Sequence, residues 1–321
     1  APEHVLRRGS DRFEIGAEGR FDEGGWTVAL SVLSREIDGE TNWDAVVRTH
    51  SPELDCVRDP NATHPGEGRF ATPESVTRAI QSAAFLRLSA RSIAAPSYSN
   101  RERPRIEYDG QGVATVLAQM KLSDDVSFDL VESSLKRVVP SLRSIRFGRA
   151  YVDYQERQTR EVDGRYQSIV STDQVVGDQL LFDFADSPGI PAHAVSEGTL
   201  LATALLSVLV SPTRPRILLL DDIEQALHPR AQAELMRVIR DLVESYDDLQ
   251  ILASTHSPYL LDCLRPDEVV VVAKREDGAS RALQLSKHPD VERAMEVLSA
   301  GEFLSAEGED WVLCEGLGDD A

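Results

Sequence analysis

The chain has 321 residues, of which 41% are apolar and 27% charged, so its composition is that of an ordinary globular protein with one or two domains. The net charge of −20 excludes nucleic-acid binding through the overall electrostatic field and leaves that role to a local basic groove or a DNA-binding partner. No apolar run reaches the roughly 18 residues of a membrane span, and the N-terminus does not resemble a signal peptide, so the sequence predicts a cytoplasmic protein without a membrane segment.

The N-terminal region is predicted to be rich in β-strands. Within residues 11–50, the apolar segments Thr27–Leu33 and Trp43–Thr49 are typical of strands, and turns rich in Gly, Asp and Asn separate them. Residues 51–72, which contain several Pro, Gly and Asp residues, are predicted to form a loop.

The middle of the chain mixes helical and extended patterns. The predicted helices lie near residues 73–84, 112–121 and 126–139. The predicted strands are Phe85–Leu88, Ile145–Asp153 and Gln179–Phe184.

The C-terminal part alternates strands and helices. Three continuous apolar runs, Ile217–Leu220, Ile251–Ala253 and Val269–Ala273, are typical of parallel strands buried on both faces. Between the first two lies an amphipathic helix with Pro229 in its first turn. This β–α–β order predicts a right-handed crossover in an α/β sheet, and ligands of such sheets bind beyond the carboxyl ends of the strands.

Acidic residues follow the first of these strands, in the segment Asp221-Asp-Ile-Glu-Gln-Ala-Leu-His-Pro229. A buried strand that ends in an acid is the Walker B pattern, in which the strand fixes a carboxylate at the sheet edge where it can hold Mg²⁺. An acidic turn after a core strand is the ordinary alternative for the pair Asp221 and Asp222 taken alone.

Two further polar segments are candidates for phosphate binding. Ser254-Thr-His-Ser-Pro258 follows the next strand, so His256 is expected near the same ligand, unless it has only a structural role. Ser196 and Gly198 open an apolar helix, and backbone N–H groups at a helix N-terminus bind anions. Ordinary N-capping by Ser196 or Thr199 is the alternative.

The order and spacing of these three segments resemble those of ABC-type ATPases of the RecF/SMC/OLD-like group. Val195-Ser-Glu-Gly-Thr199 is similar to the signature motif, Leu220–Pro229 to Walker B with the D-loop, and Ser254–Pro258 to the switch-histidine loop. The Leu-His-Pro and Thr-His-Ser-Pro sequences look most like those of AAA-labelled ATPases of OLD and related phage-defence proteins. The resemblance covers residues 190–273 and, more loosely, the whole chain.

The resemblance implies an α/β fold, with an ABC/RecF-like P-loop NTPase core in which a parallel sheet is flanked by helices. An antiparallel β lobe and a helical arm subdomain would accompany this core. The resemblance places the remainder of the N-terminal nucleotide lobe at 1–72, the arm at 73–190 and the C-terminal ATPase core at 191–321. The implied cofactors are ATP and Mg²⁺.

The resemblance also assigns catalytic roles at the implied nucleotide site. Asp221 would hold Mg²⁺, and His256 would sense the γ-phosphate. Asp222 stands where the family usually has the glutamate that polarises the attacking water.

The signature residues Ser196, Glu197 and Gly198 would contact the γ-phosphate of a nucleotide held by a second protomer. Two chains would then sandwich two nucleotides, so ATP binding and homodimer formation would be coupled. The implied function is ATP binding and hydrolysis by a nucleotide-gated dimer in DNA repair, recombination or phage defence, with DNA or a nuclease as a further partner.

The sequence departs from the family pattern at two motifs. It contains no Gly-x-x-x-x-Gly-Lys-[Ser/Thr], because none of its four lysines, at positions 121, 136, 274 and 287, follows a glycine. We expect the P-loop to lie in an N-terminal segment that is missing from this chain. Asp222 is one methylene shorter than the usual glutamate, which predicts slow hydrolysis.

Two alternative functions stay open at this point. The absent P-loop and Asp222 also suit a pseudo-ATPase that acts as an interaction or regulatory subunit without hydrolysing ATP. The other is a metal-dependent hydrolase that uses Asp221, Asp222, His228 and His256, although no close ligand pair such as His-x-x-x-His occurs. At the C-terminus, residues 311–321 predict a strand followed by acids, which resembles the first motif of Toprim nuclease domains or is simply a terminal strand with an acidic tail.

Overall fold

The computed structural model describes residues 12–21, 24–37, 40–50, 82–162, 165–276 and 278–314. The chain divides into two compact units. One contains the strands between residues 12 and 50, and the other contains most of residues 82–314.

The first unit contains a three-stranded antiparallel sheet. Strands β1 (Arg12–Phe21), β2 (Gly24–Ile37) and β3 (Glu40–His50) are hydrogen-bonded in the order β1-β2-β3. The predicted strands Thr27–Leu33 and Trp43–Thr49 lie within β2 and β3, which confirms a β-rich region here. The loop predicted for residues 51–72 lies outside the described residues.

The second unit combines strands with helices. Its strands are β4 (Ala83–Leu86), β5 (Leu142–Val162), β6 (Arg165–Phe184), β7 (Ser187–Pro191), β8 (Ile217–Leu220), β9 (Gln250–Ala253), β10 (Val270–Lys274) and β11 (Ser280–Gln284). Its helices are α1 (Ala90–Ala94), α2 (Val113–Ser123), α3 (Asp125–Val138), α4 (Glu197–Val210), α5 (Pro229–Ser245), α6 (Pro258–Leu261), α7 (Val291–Ala294) and α8 (Ala300–Glu307). Its 3₁₀ turns among the described residues are Ala192–Ala194, Pro266–Glu268, Leu285–Lys287 and Asp310–Leu313.

A parallel sheet in the order β4-β8-β9 organises the second unit. Asp221 N donates to Leu86 O at 3.2 Å, and Ser254 N donates to Leu220 O at 3.0 Å, so the ladder continues just past the strand ends. Because parallel strands end at the same sheet edge, the residues that follow β8 and β9 are brought together. The parallel sheet with its flanking helices confirms the predicted α/β fold class.

Helix α4 is the most buried element of the second unit. Every residue from Gly198 to Val210 is buried, and α4 contacts α1, α2, α3 and α5. Its interior hydroxyls are satisfied, because Thr203 and Ser207 donate to the carbonyls of Thr199 and Thr203 at 2.7 and 2.6 Å. Because α4 packs against four other helices, the residues at its N-terminus have a fixed position.

The middle of the chain confirms most of its predicted elements. The helices predicted at 112–121 and 126–139 correspond to α2 and α3. Strands β5 and β6 form one long antiparallel hairpin that contains both strands predicted there. The helix predicted near 73–84 lies mostly outside the described residues. Its last two residues, Ala83 and Ala84, belong to β4, where pairing with β8 overrides the local helical pattern.

Three strand predictions need correction. Strand β10 is not a parallel strand buried on both faces: it pairs antiparallel with β11, and Val270 and Val272 are 58% and 59% exposed. Strand β9 is parallel, but Leu252 on one of its faces is 58% exposed. The terminal strand predicted from Trp311 is a 3₁₀ turn, because Trp311 and Val312 are buried in a separate hydrophobic cluster with Phe303.

Within the described ranges, no helix is both long enough and apolar enough to cross a membrane.

An ion pair fixes α5 to the segment that follows β9. Arg240 donates to both carboxylate oxygens of Glu268, at 3.0 and 2.9 Å, and also to the carbonyl of Cys263 at 3.1 Å. The hydrogen bonds from Arg240 lower the pKa of Glu268 from 4.5 to about 2, against the opposing effect of desolvation. A two-point contact between guanidinium and carboxylate is stronger than a single exposed ion pair.

Replacing Glu268 with Gln is expected to lower the free energy of unfolding at pH 7 by about 1–2 kcal/mol, a figure reduced because both side chains are partly exposed. The folded-state pKa is depressed, so this stabilisation is present above pH 4.5 and is lost as the pH falls towards 2. Urea unfolding of both proteins at pH 7, 4.5 and 3.5 should show the difference shrinking with pH. A difference that is the same at all three values would contradict the assignment.

Candidate functional site

Asp221 lies directly after β8, at the carboxyl edge of the parallel sheet. Its Oδ1 accepts a hydrogen bond from Ser254 Oγ at 2.9 Å, and its Oδ2 lies 3.7 Å from Arg87 Nε. The Asp221 side chain is 39% exposed, so the carboxylate is reachable from solvent. Carboxylate and hydroxyl oxygens are the ligands that Mg²⁺ prefers, either directly or through water, so Asp221 and Ser254 fit a magnesium site.

Asp222 is exposed and has an unusual backbone conformation. Its φ of +50° lies in the left-handed region, which Asp tolerates better than most residues other than Gly. The Asp222 N–H donates to Ser254 Oγ at 3.0 Å. The Ser254 hydroxyl therefore connects both acids, by donating to Asp221 and accepting from Asp222, and this contact was not predicted from the sequence.

His256 follows β9, and its side chain is exposed. Its backbone N–H donates to Glu224 Oε1 at 2.9 Å. The next residue, Ser257, is buried and donates to Gln232 Oε1 at 2.5 Å, while Gln232 Nε2 donates to Leu227 O at 2.9 Å. The loop that carries His256 is thus tied to the segment that follows Asp221.

Ser196 is the N-cap of α4. Its Oγ accepts from Thr199 N at 3.4 Å and lies 2.8 Å from Thr199 Oγ1. Ser196 and Glu197 are exposed, whereas Gly198 is buried. A Cβ at position 198 would lie 2.5 Å from Ala226 O, so only glycine allows this close approach of α4 to the loop after Asp221.

The structure brings some of the predicted residues together and leaves others apart. Asp221 and Asp222 share Ser254, and Gly198 contacts the loop that begins at Asp222. In the part of the chain that the structure describes, no group of three or more His, Cys, Asp or Glu side chains could hold a metal ion. His228 would be a metal ligand if the chain were a metal-dependent hydrolase. In the structure it caps α5 through Nδ1, which accepts from Arg230 N at 3.4 Å.

Comparisons with known proteins add a family match and several distant similarities. Residues 68–262 match the family described as AAA domain, putative AbiEii toxin, Type IV TA system. The chain is 25% identical over 192 residues to the Septu protein PtuA of Bacillus mycoides (strain KBAB4), a match that covers 56% of this chain. Because the match covers only 26% of PtuA, the chain spans about a quarter of that relative's length.

The chain is also similar to solved structures of SMC heads. The SmcHead bound to the C-winged helix domain of ScpA is 14% identical, with a TM-score of 0.48, and the match covers 90% of this chain and 77% of that chain. The SMC head domain from Thermotoga maritima is 8% identical, with a TM-score of 0.39, over 86% and 74% of the two chains.

Proposed function

This chain belongs to the family described as AAA domain, putative AbiEii toxin, Type IV TA system, and from that premise we propose that it is an ABC-type enzyme that binds and hydrolyses ATP. The observation that carries the proposal is the contact between the ends of β8 and β9, where Ser254 is hydrogen-bonded to both Asp221 and Asp222. This places the two candidate acids on the same sheet edge as the loop that carries His256. Such an edge is where α/β sheets bind their ligands.

Each residue of this edge has a distinct proposed role. Asp221, supported by Ser254, would hold Mg²⁺, which when bound supplies positive charge to the β- and γ-phosphates. Asp222 would orient the attacking water and accept its proton, since its carboxylate is exposed. The exposed imidazole of His256 would donate a hydrogen bond to the γ-phosphate, where negative charge must be stabilised.

A second protomer would complete the site. Ser196 and Glu197 are exposed at the N-terminus of α4, where backbone N–H groups favour an anion. We propose that they contact the nucleotide held by another copy of the chain, so that ATP couples to homodimer formation in the cytoplasm. The family description and the match to a Septu protein support a role in phage defence over DNA repair, with DNA or a nuclease as a further partner.

ATP-dependent association tests this proposal on the protein expressed from its native gene. Phosphate release should require Mg²⁺, and light scattering should show the mass doubling with ATP but not with ADP. Replacing Ser196 with Lys should abolish both effects, because a long side chain would occupy the proposed interface. Replacing Ser245 with Lys, an equal change at an exposed position late in α5, is the matched control.

The alternative function predicts a different outcome of the same experiment. A pseudo-ATPase subunit would bind no nucleotide tightly and would keep the same mass with and without ATP. That result would overturn the proposed ATPase function and would favour a role as an interaction subunit.

A further inference from the structure

Glu224 makes a contact that the proposed chemistry does not use. It lies three residues after Asp221, and its Oε1 accepts from the backbone N–H of His256 at 2.9 Å. Its other oxygen, Oε2, is buried and has no hydrogen-bond partner among the described residues. A carboxylate that is engaged on one oxygen and buried on the other is poorly placed to activate a water, so its contact with His256 is the feature to explain.

The His256 loop has few other constraints near its imidazole. Within the described ranges, no hydrogen bond to the His256 side chain is formed, and the side chain is exposed. Its position therefore depends on the backbone of residues 254–258. Glu224 holds that backbone at His256 itself, and the second anchor is one residue later, where buried Ser257 donates to buried Gln232.

Both anchors come from the segment between β8 and the first turns of α5. Gln232 in turn donates to Leu227 O, so it also fixes this segment internally. The same segment is held from the other side, where Gly198 approaches Ala226 O too closely for any Cβ. A carboxylate carried by a segment that is itself held in this way can keep the His256 loop in one place with little loss of entropy on nucleotide binding.

We propose that Glu224 is a positioning residue that orients His256 for the γ-phosphate by accepting its backbone N–H. This inference rests on the proposed ATPase function for its catalytic consequence, but the contact itself is independent of nucleotide. In this proposal Glu224 acts through His256 and not directly on the nucleotide or the attacking water. The acceptor oxygen is the required group, so a glutamine should replace it and an alanine should not.

Hydrogen exchange tests the contact without any activity. In the 321-residue chain, the His256 amide should exchange about fivefold to tenfold faster in Glu224→Ala than in the wild type, read from a peptide covering residues 250–258. In Glu224→Gln the protection should persist, because the amide oxygen still accepts. Equal protection in Glu224→Ala and wild type would overturn the proposal.

Steady-state kinetics of the protein expressed from its native gene test the consequence. Glu224→Ala should lower kcat about tenfold with KM for ATP nearly unchanged, and Glu224→Gln should restore most of the loss. The double variant Glu224→Ala/His256→Ala should be no slower than His256→Ala, since the two substitutions remove the same function. Additive losses would show that Glu224 acts independently of His256 and would refute the positioning role. If the wild type hydrolyses no ATP, the proposed function fails, while hydrogen exchange still decides the contact.

Discussion

Replacing His256 with alanine is expected to lower the ATP turnover of the protein expressed from its native gene by about a hundredfold, the usual effect of removing one donor to a charged transition state. The fold should stay intact, because the imidazole is exposed and makes no hydrogen bond within the described ranges. Phosphate release measures the turnover. Thermal unfolding should show a melting temperature within about 1 °C of the wild type.

The control for this experiment is Tyr259→Ala. Tyr259 lies three residues beyond His256 and is 52% exposed, so its truncation tests the loss of an exposed ring from the same segment. Turnover should fall only in the His256 variant. Unchanged turnover in His256→Ala would remove the γ-phosphate role from this residue and would also remove the reason for Glu224 to position it.

Replacing Asp222 with Glu is expected to raise kcat about tenfold, because the added methylene would bring the carboxylate closer to the attacking water that Asp222 is proposed to orient. The exposed position of Asp222 leaves room for the longer side chain. The φ of +50° disfavours Glu relative to Asp, so the melting temperature should fall by about 1–3 °C. Single-turnover phosphate release and thermal unfolding measure the two effects.

Asp222→Asn is the companion variant, since Asn also tolerates a positive φ but cannot accept the proton of a water. It should reduce hydrolysis to background without the loss of stability expected for Glu. If Asp222→Glu also falls to background, the geometry of the site requires an aspartate at this position, and the shorter side chain is not the cause of slow hydrolysis.

Much of the second unit could be predicted from the sequence. The apolar run at 217–220 and the shorter one at 251–253 are parallel neighbours, and the amphipathic pattern that begins at Pro229 is α5. The apolar segment after Ser196 is α4, capped by that serine. These predictions succeed because the spacing of apolar residues within each segment indicates whether that segment forms a strand or a helix.

Other elements could not be predicted, for reasons that lie outside their own sequence. The four valines near 270 suit a buried parallel strand, but β10 pairs with β11, and two of them face solvent. Trp311 and Val312 are apolar enough for a strand, yet they form a 3₁₀ turn and are buried with Phe303 in a separate hydrophobic cluster. The spacing of apolar residues and the composition of a segment do not reveal which part of the fold will bury an apolar side chain.

The sequence by itself determined which acids and which histidine follow the strands of the sheet, because that order is written in the chain. Only the tertiary structure decided which groups form hydrogen bonds with these residues. Ser254 is hydrogen-bonded to both Asp221 and Asp222, and the Glu224 carboxylate accepts from the backbone N–H of His256. These partners lie 32 or 33 residues apart in sequence. Their contacts depend on the register of β9 against β8 and on the left-handed turn at Asp222, neither of which any local pattern encodes.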